Sequence, residues 1–434
     1  MDKMADVLGR AGAWCGQNKY LSAIKNAFQN FMPLTIAGAI GVLWCNVLVN
    51  DQTGLGLFFK PIMALDFLNP AFQAVNFCTI SCITVGITLG IAQEIGVWNM
   101  GAERAGYIPG LVGLAAWLSV TNTSHMVEGA KEAFTGIAGN ELGATGLFTG
   151  MIIGVLSVEL FCFFEKQDAL KIKMPEQVPP GVARAFEVLV PATITLIITA
   201  CIGSACYNLT GLYLNDVIKN GIQGPLGAVG ATIPGVMIIY LVIMLFWLVG
   251  IHGNNMLSAV KEALFTPLAL ENVEAFNKGE TPKNIINMYA LQMWGEFGGS
   301  GVTIGLVIAI MIFGKREDNK AIATLSLVPG LFNINETVTF GLPMVLNPIL
   351  GIPFVVAPLI TIIIGYVLTV IGFCPVACLT VPWTTPPIVF GFLATGANVM
   401  GAVTQAILIV VSTVIYVPFL IAYEKYQNKQ AAEA

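Results

Sequence analysis

The chain has 434 residues, of which 56 % are hydrophobic and 10 % charged, and its formal net charge is −5. Ordinary globular domains carry about 25 % charged residues, so this chain lacks the polar surface to face water on all sides and reads as an integral membrane protein. The slight acidic excess selects no partner, because in a membrane protein the placement of charge in loops matters more than its sum, and nothing in the sequence suggests nucleic acid.

Residues 1–26, MDKMADVLGRAGAWCGQNKYLSAIKN, carry four basic side chains without the apolar core or small-residue cleavage site of a signal peptide, and none is expected. Apolar stretches follow at 27–49, 71–93, 106–121 and 143–164. Each reads as a helix crossing the bilayer, which takes about 20 apolar residues; a spanning barrel would show short alternating segments instead. The polar run EKQDALKIKMPEQVPPGVARAF then interrupts the chain. It is taken as a linker between an amino-terminal bundle, 1–180, and a carboxy-terminal bundle, 181–434.

Further spans are expected at 185–206, 226–250, 300–314 and 400–423, with proline- and glycine-broken apolar sequence between 321 and 397. Basic residues cluster before residue 26, at Lys166, Lys171, Lys173 and Arg184, at Lys315, Arg316 and Lys320, and at Lys425 and Lys429. The positive-inside rule places all four clusters, and the amino terminus, in the cytoplasm. Four spans separate the first two clusters, as that requires; only three separate the second from the third, so a more polar crossing is expected between 251 and 299. The expected fold is all-α, with about ten transmembrane helices. Polar stretches such as GIHGNNML and WGEFGGSGVTIGL lie inside apolar surroundings, where unwound backbone is tolerated only against protein or a water-filled cavity. Re-entrant hairpins around a substrate cavity follow from that pattern.

The stretch PGLFNINETVTFGLPMVLNP, 329–348, is the most unusual, placing Asn333, Asn335, Glu336, Thr337 and Thr339 between Pro329 and Pro343. An ionisable group at membrane depth costs several kcal/mol or more and is normally functional or paired. Glu336 is therefore the leading candidate, within a set of donors and acceptors suited to a polyhydroxyl ligand. His252 follows, flanked by Gly250 and Gly253, which allow close approach, and by the amides of Asn254 and Asn255. His125, in the polar loop TNTSHMVEG, is read as structural. Trp294 and Trp383 stand beside breakers and polar residues, where an indole face can stack on a sugar ring or belong to an interfacial belt. GGSG, 298–301, lacks the spacing and lysine of a phosphate loop and reads as close packing or a hairpin tip. The nine cysteines lack metal-ligand spacing and read as apolar packing residues; no metal or cofactor is expected.

Taken in order, IKMPEQVPPGVARAFEVLVP, FWLVGIHGNNM, GEFGGSGVTIGL, PGLFNINETVTFGLPMVLNP and PWTTPPIVFGFLATGAN resemble the membrane component, enzyme IIC, of the lactose/cellobiose/diacetylchitobiose family of bacterial sugar phosphotransferase systems. Thr337 and Thr339 stand where the family's usual sequence has proline and isoleucine. The resemblance implies homodimers of ten-helix protomers with two re-entrant hairpins, an amino-terminal bundle that dimerises and a carboxy-terminal bundle that holds sugar. It also implies that the 6-hydroxyl of a β-linked disaccharide, diacetylchitobiose or cellobiose ahead of lactose, is presented to a phosphocysteine on a soluble IIB protein. Glu336 and His252 match the family's key sugar contacts. No fused IIB domain is expected after the last span. The rival reading is a secondary transporter moving sugar with a proton on Glu336.

Overall fold

The computed structural model describes residues 10, 14, 17–51, 55–125, 134–175, 177–342, 344–345 and 347–433. Pro343 and most of the first basic segment lie outside them. The described chain is helical almost throughout. Five helices are long and apolar enough to cross a membrane, and two bent pairs raise the number to seven.

The described chain forms two compact units: Gln17–Gly38 with Val75–Ala228, and Ala39–Ala74 with Val229–Ala434. The polar linker near residue 180 lies within the first of these units. In the first unit α1 (Lys19–Leu43) enters, and α2 (Ile83–Met100), α3 (Ile108–Val120), α4 (Ala144–Glu165) and α5 (Pro180–Thr210) pack on one another. The reason is electrostatic as well as apolar. Glu165, at the end of α4, is nearly enclosed and meets both Arg104 at 2.8 Å and Arg184 at 3.0 Å, while Glu187 meets the same two arginines at 3.1 and 2.8 Å. These contacts fasten the start of α5 to the end of α4. Gly211, in the left-handed conformation at φ 74°, ends α5, and its N–H caps the Tyr207 carbonyl at 2.8 Å.

The second unit contains α6 (Ile233–Leu248), α7 (Gly253–Asn277), α8 (Met288–Gly295), α9 (Ile304–Phe313), α10 (Glu317–Leu331), α11 (Glu336–Gly341), α12 (Gly351–Val370), α13 (Val389–Ala394) and α14 (Val399–Glu433). In the stretch 251–299, where a polar crossing is expected, lies α7, 25 residues long, which carries Lys261, Glu262, Glu271 and Glu274 and is not among the apolar spans. α8 and α9 form a pair bent by 59° at the GGSG turn. Pro329 lies inside α10, which continues two residues past it to Leu331. A proline removes one donor and crowds the preceding turn, so the helix stops shortly after it rather than before.

Buried Asn287 starts α8: its Oδ1 accepts from the N–H groups of Tyr289 and Ala290 at 3.0 and 3.2 Å, and its Nδ2 donates to the Ala377 carbonyl at 3.1 Å. Such a cap satisfies donors that the first turn leaves open. Glu424, buried on α14, accepts from the backbone N–H of Lys315 at 2.9 Å and from Asn319 Nδ2 at 3.2 Å, which ties the basic 315–320 turn to the last helix. In that turn the Arg316 guanidinium bonds Asp318 at 3.0 and 2.6 Å and holds its carboxyl below the usual carboxylate range.

Candidate functional site

Two chain breaks in the second unit bring together residues that are far apart in sequence. At the first, α6 ends at Leu248 and the chain reverses through Gly250, φ 80°, a left-handed turn that costs glycine little. His252 then caps α7, its Nδ1 accepting the N–H of Asn255 at 3.2 Å. With Nδ1 an acceptor, the ring proton sits on Nε2. The imidazole packs on buried Trp247 with centroids 4.4 Å apart. A Cβ on Gly253 would run into the backbone carbonyl of Ile243, so the first turn of α7 lies directly on α6. Gly253→Ala is expected to cost about 1–3 kcal/mol by overpacking. It should appear as a lowered thermal midpoint and a displaced imidazole, since the same turn carries His252.

The second break lies between α10 and α11. Asn333 adopts φ 61°, a region asparagine tolerates better than most residues. Its Oδ1 accepts the N–H of Gly298 at 2.6 Å, and its Nδ2 donates to the carbonyls of Trp383 and, at 3.0 Å, Thr385. Buried Asn335 donates from Nδ2 to the Ser300 carbonyl at 2.8 Å and to Thr339 Oγ1 at 3.1 Å. Gly299, φ 87°, has no room for a Cβ because the Asn335 side chain fills that space. Tyr416 on α14 donates to the Gly301 carbonyl at 2.7 Å and secures the same turn. The two asparagines thus clamp the GGSG tip, α11 and the 383–385 segment into one frame.

That frame projects Glu336 at the start of α11, where its Oε1 lies 3.9 Å from His252 Nε2. The side chains are 46 and 39 % exposed. The pair is too far apart for a direct hydrogen bond and open enough to admit one. An oxygen off the line between them can stand at roughly 2.8 Å from both, accepting from His252 and donating to Glu336.

The other sequence candidates separate by environment. Thr337 and Asn255 are exposed, and Asn254 is partly buried with its Oδ1 unpartnered. Trp383, 44 % exposed, opens the turn whose carbonyls Asn333 holds. Trp294 is 1 % exposed, its ring lying where a side chain at Gly365 would be; it packs α8 on α12 and offers no open face. Asn333 and Asn335, expected to face a ligand, instead have backbone partners. His125 lies in the first unit with its Nε2 3.2 Å from the Asn122 carbonyl and its ring against Phe134.

Sequence reasoning passed over a buried ion pair. Lys261 on α7 meets Glu296, the residue that ends α8, and the Tyr240 hydroxyl donates to the same Glu296 oxygen at 2.7 Å. The side chains of Lys261 and Glu296 are 7 and 15 % exposed, and both lie near enough to His252 to act on it electrostatically. The signal was present in WGEFGG, a carboxylate inside an apolar segment, but its basic partner lies 35 residues earlier. Among the described residues, no group of three or more His, Cys, Asp or Glu side chains is arranged to hold a metal ion.

Residues 25–358 match the family model of the phosphotransferase system EIIC proteins. The chain is 33 % identical to the oligo-beta-mannoside-specific EIIC component of Bacillus subtilis (strain 168), over 98 % of this chain and 94 % of that one. It is 31 % identical to the cellobiose-specific EIIC component of Lactococcus lactis subsp. lactis (strain IL1403), over 98 % of each. Among solved structures, the transporter ChbC, the IIC component of an N,N'-diacetylchitobiose-specific phosphotransferase system, superposes with a TM-score of 0.88 at 29 % identity, over 97 % of both chains. With apolar helices long enough to cross a bilayer and a family match over most of its length, the chain belongs to the integral membrane EIIC family of the phosphotransferase system.

Proposed function

We propose that the protein carries a β-linked disaccharide across the cytoplasmic membrane and presents its 6-hydroxyl to the phosphocysteine of a separate IIB protein. The observation that carries this reading is the His252–Glu336 pair, open to ligand and spaced to hold one hydroxyl. In the reaction the 6-oxygen attacks phosphorus, the P–O bond forms as the P–S bond breaks, and the hydroxyl proton passes to Glu336. His252 orients the oxygen through Nε2–H and stabilises charge as it develops. Phosphoryl transfer depends mainly on positioning and charge stabilisation, and this pair supplies both. Thr337, Asn255, Asn254 and the Trp383 face flank the hydroxyl, while Asn333, Asn335 and Trp294 fix the backbone that aims it.

The relatives' names favour β-glucosides or related β-linked sugars, and diacetylchitobiose and cellobiose stand ahead of lactose. The long spans, the bent pairs, the two shorter apolar helices and α7 are read together as about ten crossings and re-entrant segments, with a cytoplasmic amino terminus. The breaks at 296–303 and 332–335 are assigned to two re-entrant hairpins. The amino-terminal bundle is assigned to a homodimer contact within lipid, and the carboxy-terminal one to sugar.

Vesicles or cells supplied with the partner proteins and labelled diacetylchitobiose or cellobiose are expected to accumulate the 6-phosphorylated sugar inside. Accumulation of the unmodified disaccharide, abolished by a proton uncoupler, would instead support secondary transport. A binding series across diacetylchitobiose, cellobiose and lactose ranks the substrates.

A further inference from the structure

The second unit also holds a polar cavity that the phosphoryl chemistry does not use. After α1 the chain passes through a wide helical turn, Trp44–Leu48, and returns by the helical segments Lys60–Leu68 and Asn69–Asn76. Between them lies a cavity of about 370 Å³, bordered by Asn46, Asn50, Asp51, Asp66, Asn69 and Gln73. Its walls are joined by side-chain contacts: Asn50 Nδ2 donates to the Cys45 carbonyl at 3.3 Å, Asn69 Nδ2 donates to Asp66, and the Trp44 ring stacks on Phe72 with centroids 4.3 Å apart. Asn69 Oδ1 is enclosed and has no hydrogen-bond partner among the described residues. Asn46 Nδ2 donates to Oδ1 of Asn277, the last residue of α7, at 3.2 Å. α7 starts at the His252 cap, and a helix rises about 1.5 Å per residue, so its 25 residues set the cavity roughly 35 Å from the His252–Glu336 pair. The run Lys19–Leu48 is long and apolar enough to cross the membrane, and its basic start is the end assigned to the cytoplasm, which puts the cavity at the external end.

Six carboxylate or carboxamide side chains about one cavity specify a polar occupant. Carboxamides offer a donor and an acceptor side by side and carboxylates accept, a set that matches vicinal hydroxyls, each of them both donor and acceptor. The lining has no cationic side chain that would draw a phosphate. The volume lies at the low end of the roughly 300–1,000 Å³ of small-molecule sites, which suits a small sugar. We infer that this cavity is an outer binding site for a neutral sugar, which captures the disaccharide at the external face ahead of the His252–Glu336 pair; the inference rests on the disaccharide reading above and gives it an entry step.

The test is equilibrium binding of labelled cellobiose and diacetylchitobiose to the purified full-length protein in detergent, alongside uptake by cells supplied with the partner proteins. Two classes of site per protomer are expected, one tight and one weaker. Glu336→Gln should weaken the tight class and leave the weaker one unchanged. Asp66→Ala and Gln73→Ala should each weaken the second class about three- to tenfold, the worth of a neutral hydrogen bond or two, and raise the KM of uptake by a similar factor with the maximal rate unchanged. Gln73 is exposed, so Gln73→Ala carries the test if Asp66→Ala does not fold. A single class of site in the wild-type protein would overturn the outer site and leave the His252–Glu336 reading intact, as would a weaker class that Gln73→Ala and Asp66→Ala leave unchanged. A tight class untouched by Glu336→Gln, with a weaker class lost in Gln73→Ala, would remove the pair from sugar binding and support the outer site.

Discussion

Glu336→Gln is expected to weaken disaccharide binding about ten- to a hundred-fold and to lower phosphorylation by a further factor of about 100. The substitution keeps size and hydrogen-bonding capacity while removing the charge and the proton-accepting oxygen. A hydrogen bond to a charged group is worth about 1.5–3 kcal/mol, which sets the first factor. Loss of general-base assistance sets the second. Equilibrium binding and single-turnover phosphoryl transfer separate the two. His252→Ala should also lower affinity, because Nε2 faces the same opening 3.9 Å from Glu336. His125→Ala, in the first unit against Phe134, should change neither binding nor transfer. A Glu336→Gln protein that folds and retains normal affinity and turnover would place the site elsewhere. One that loses stability but keeps affinity would make Glu336 a helix cap.

Lys261→Met should be the most destabilising of these changes, by about 3–5 kcal/mol, because it leaves the Glu296 carboxylate buried without its cation. Lys261→Met combined with Glu296→Gln should recover much of that loss, since the uncompensated charge is gone. Tyr240→Phe, which removes one neutral donor to Glu296, should cost only about 0.5–1.5 kcal/mol. Thermal midpoints of the four proteins measure this directly. If the double variant is no more stable than Lys261→Met, the pair is not held together by charge compensation. Because Glu296 ends α8 immediately before the turn that Asn333 and Asn335 clamp, the single variant should also weaken sugar binding.

The sequence alone determined the membrane class and most of the spanning helices, because apolar length is a local property that lipid reads directly. The expected spans at 143–164, 185–206 and 400–423 correspond to α4, α5 and α14, shifted only at their ends. Glu336 and His252 already stood out in the sequence as candidates, since an ionisable or imidazole group inside apolar sequence is conspicuous wherever the chain later goes. Their mutual distance was not legible: 84 residues separate them, and the 3.9 Å approach depends on two chain reversals and a three-way asparagine clamp. Nor could sequence distinguish Asn333 and Asn335, whose amides bond the backbone, from Thr337, which stays exposed beside them. The same applies to Trp294, which looked like Trp383 in composition but is enclosed against Gly365. The linker near 180 was legible as a loop, but not the ion pairs of Glu165 and Glu187 with Arg104 and Arg184 that join the helices on either side of it. Hydropathy fixes which segments enter the bilayer; partner choice among polar side chains is a long-range property, and only the tertiary structure decides it.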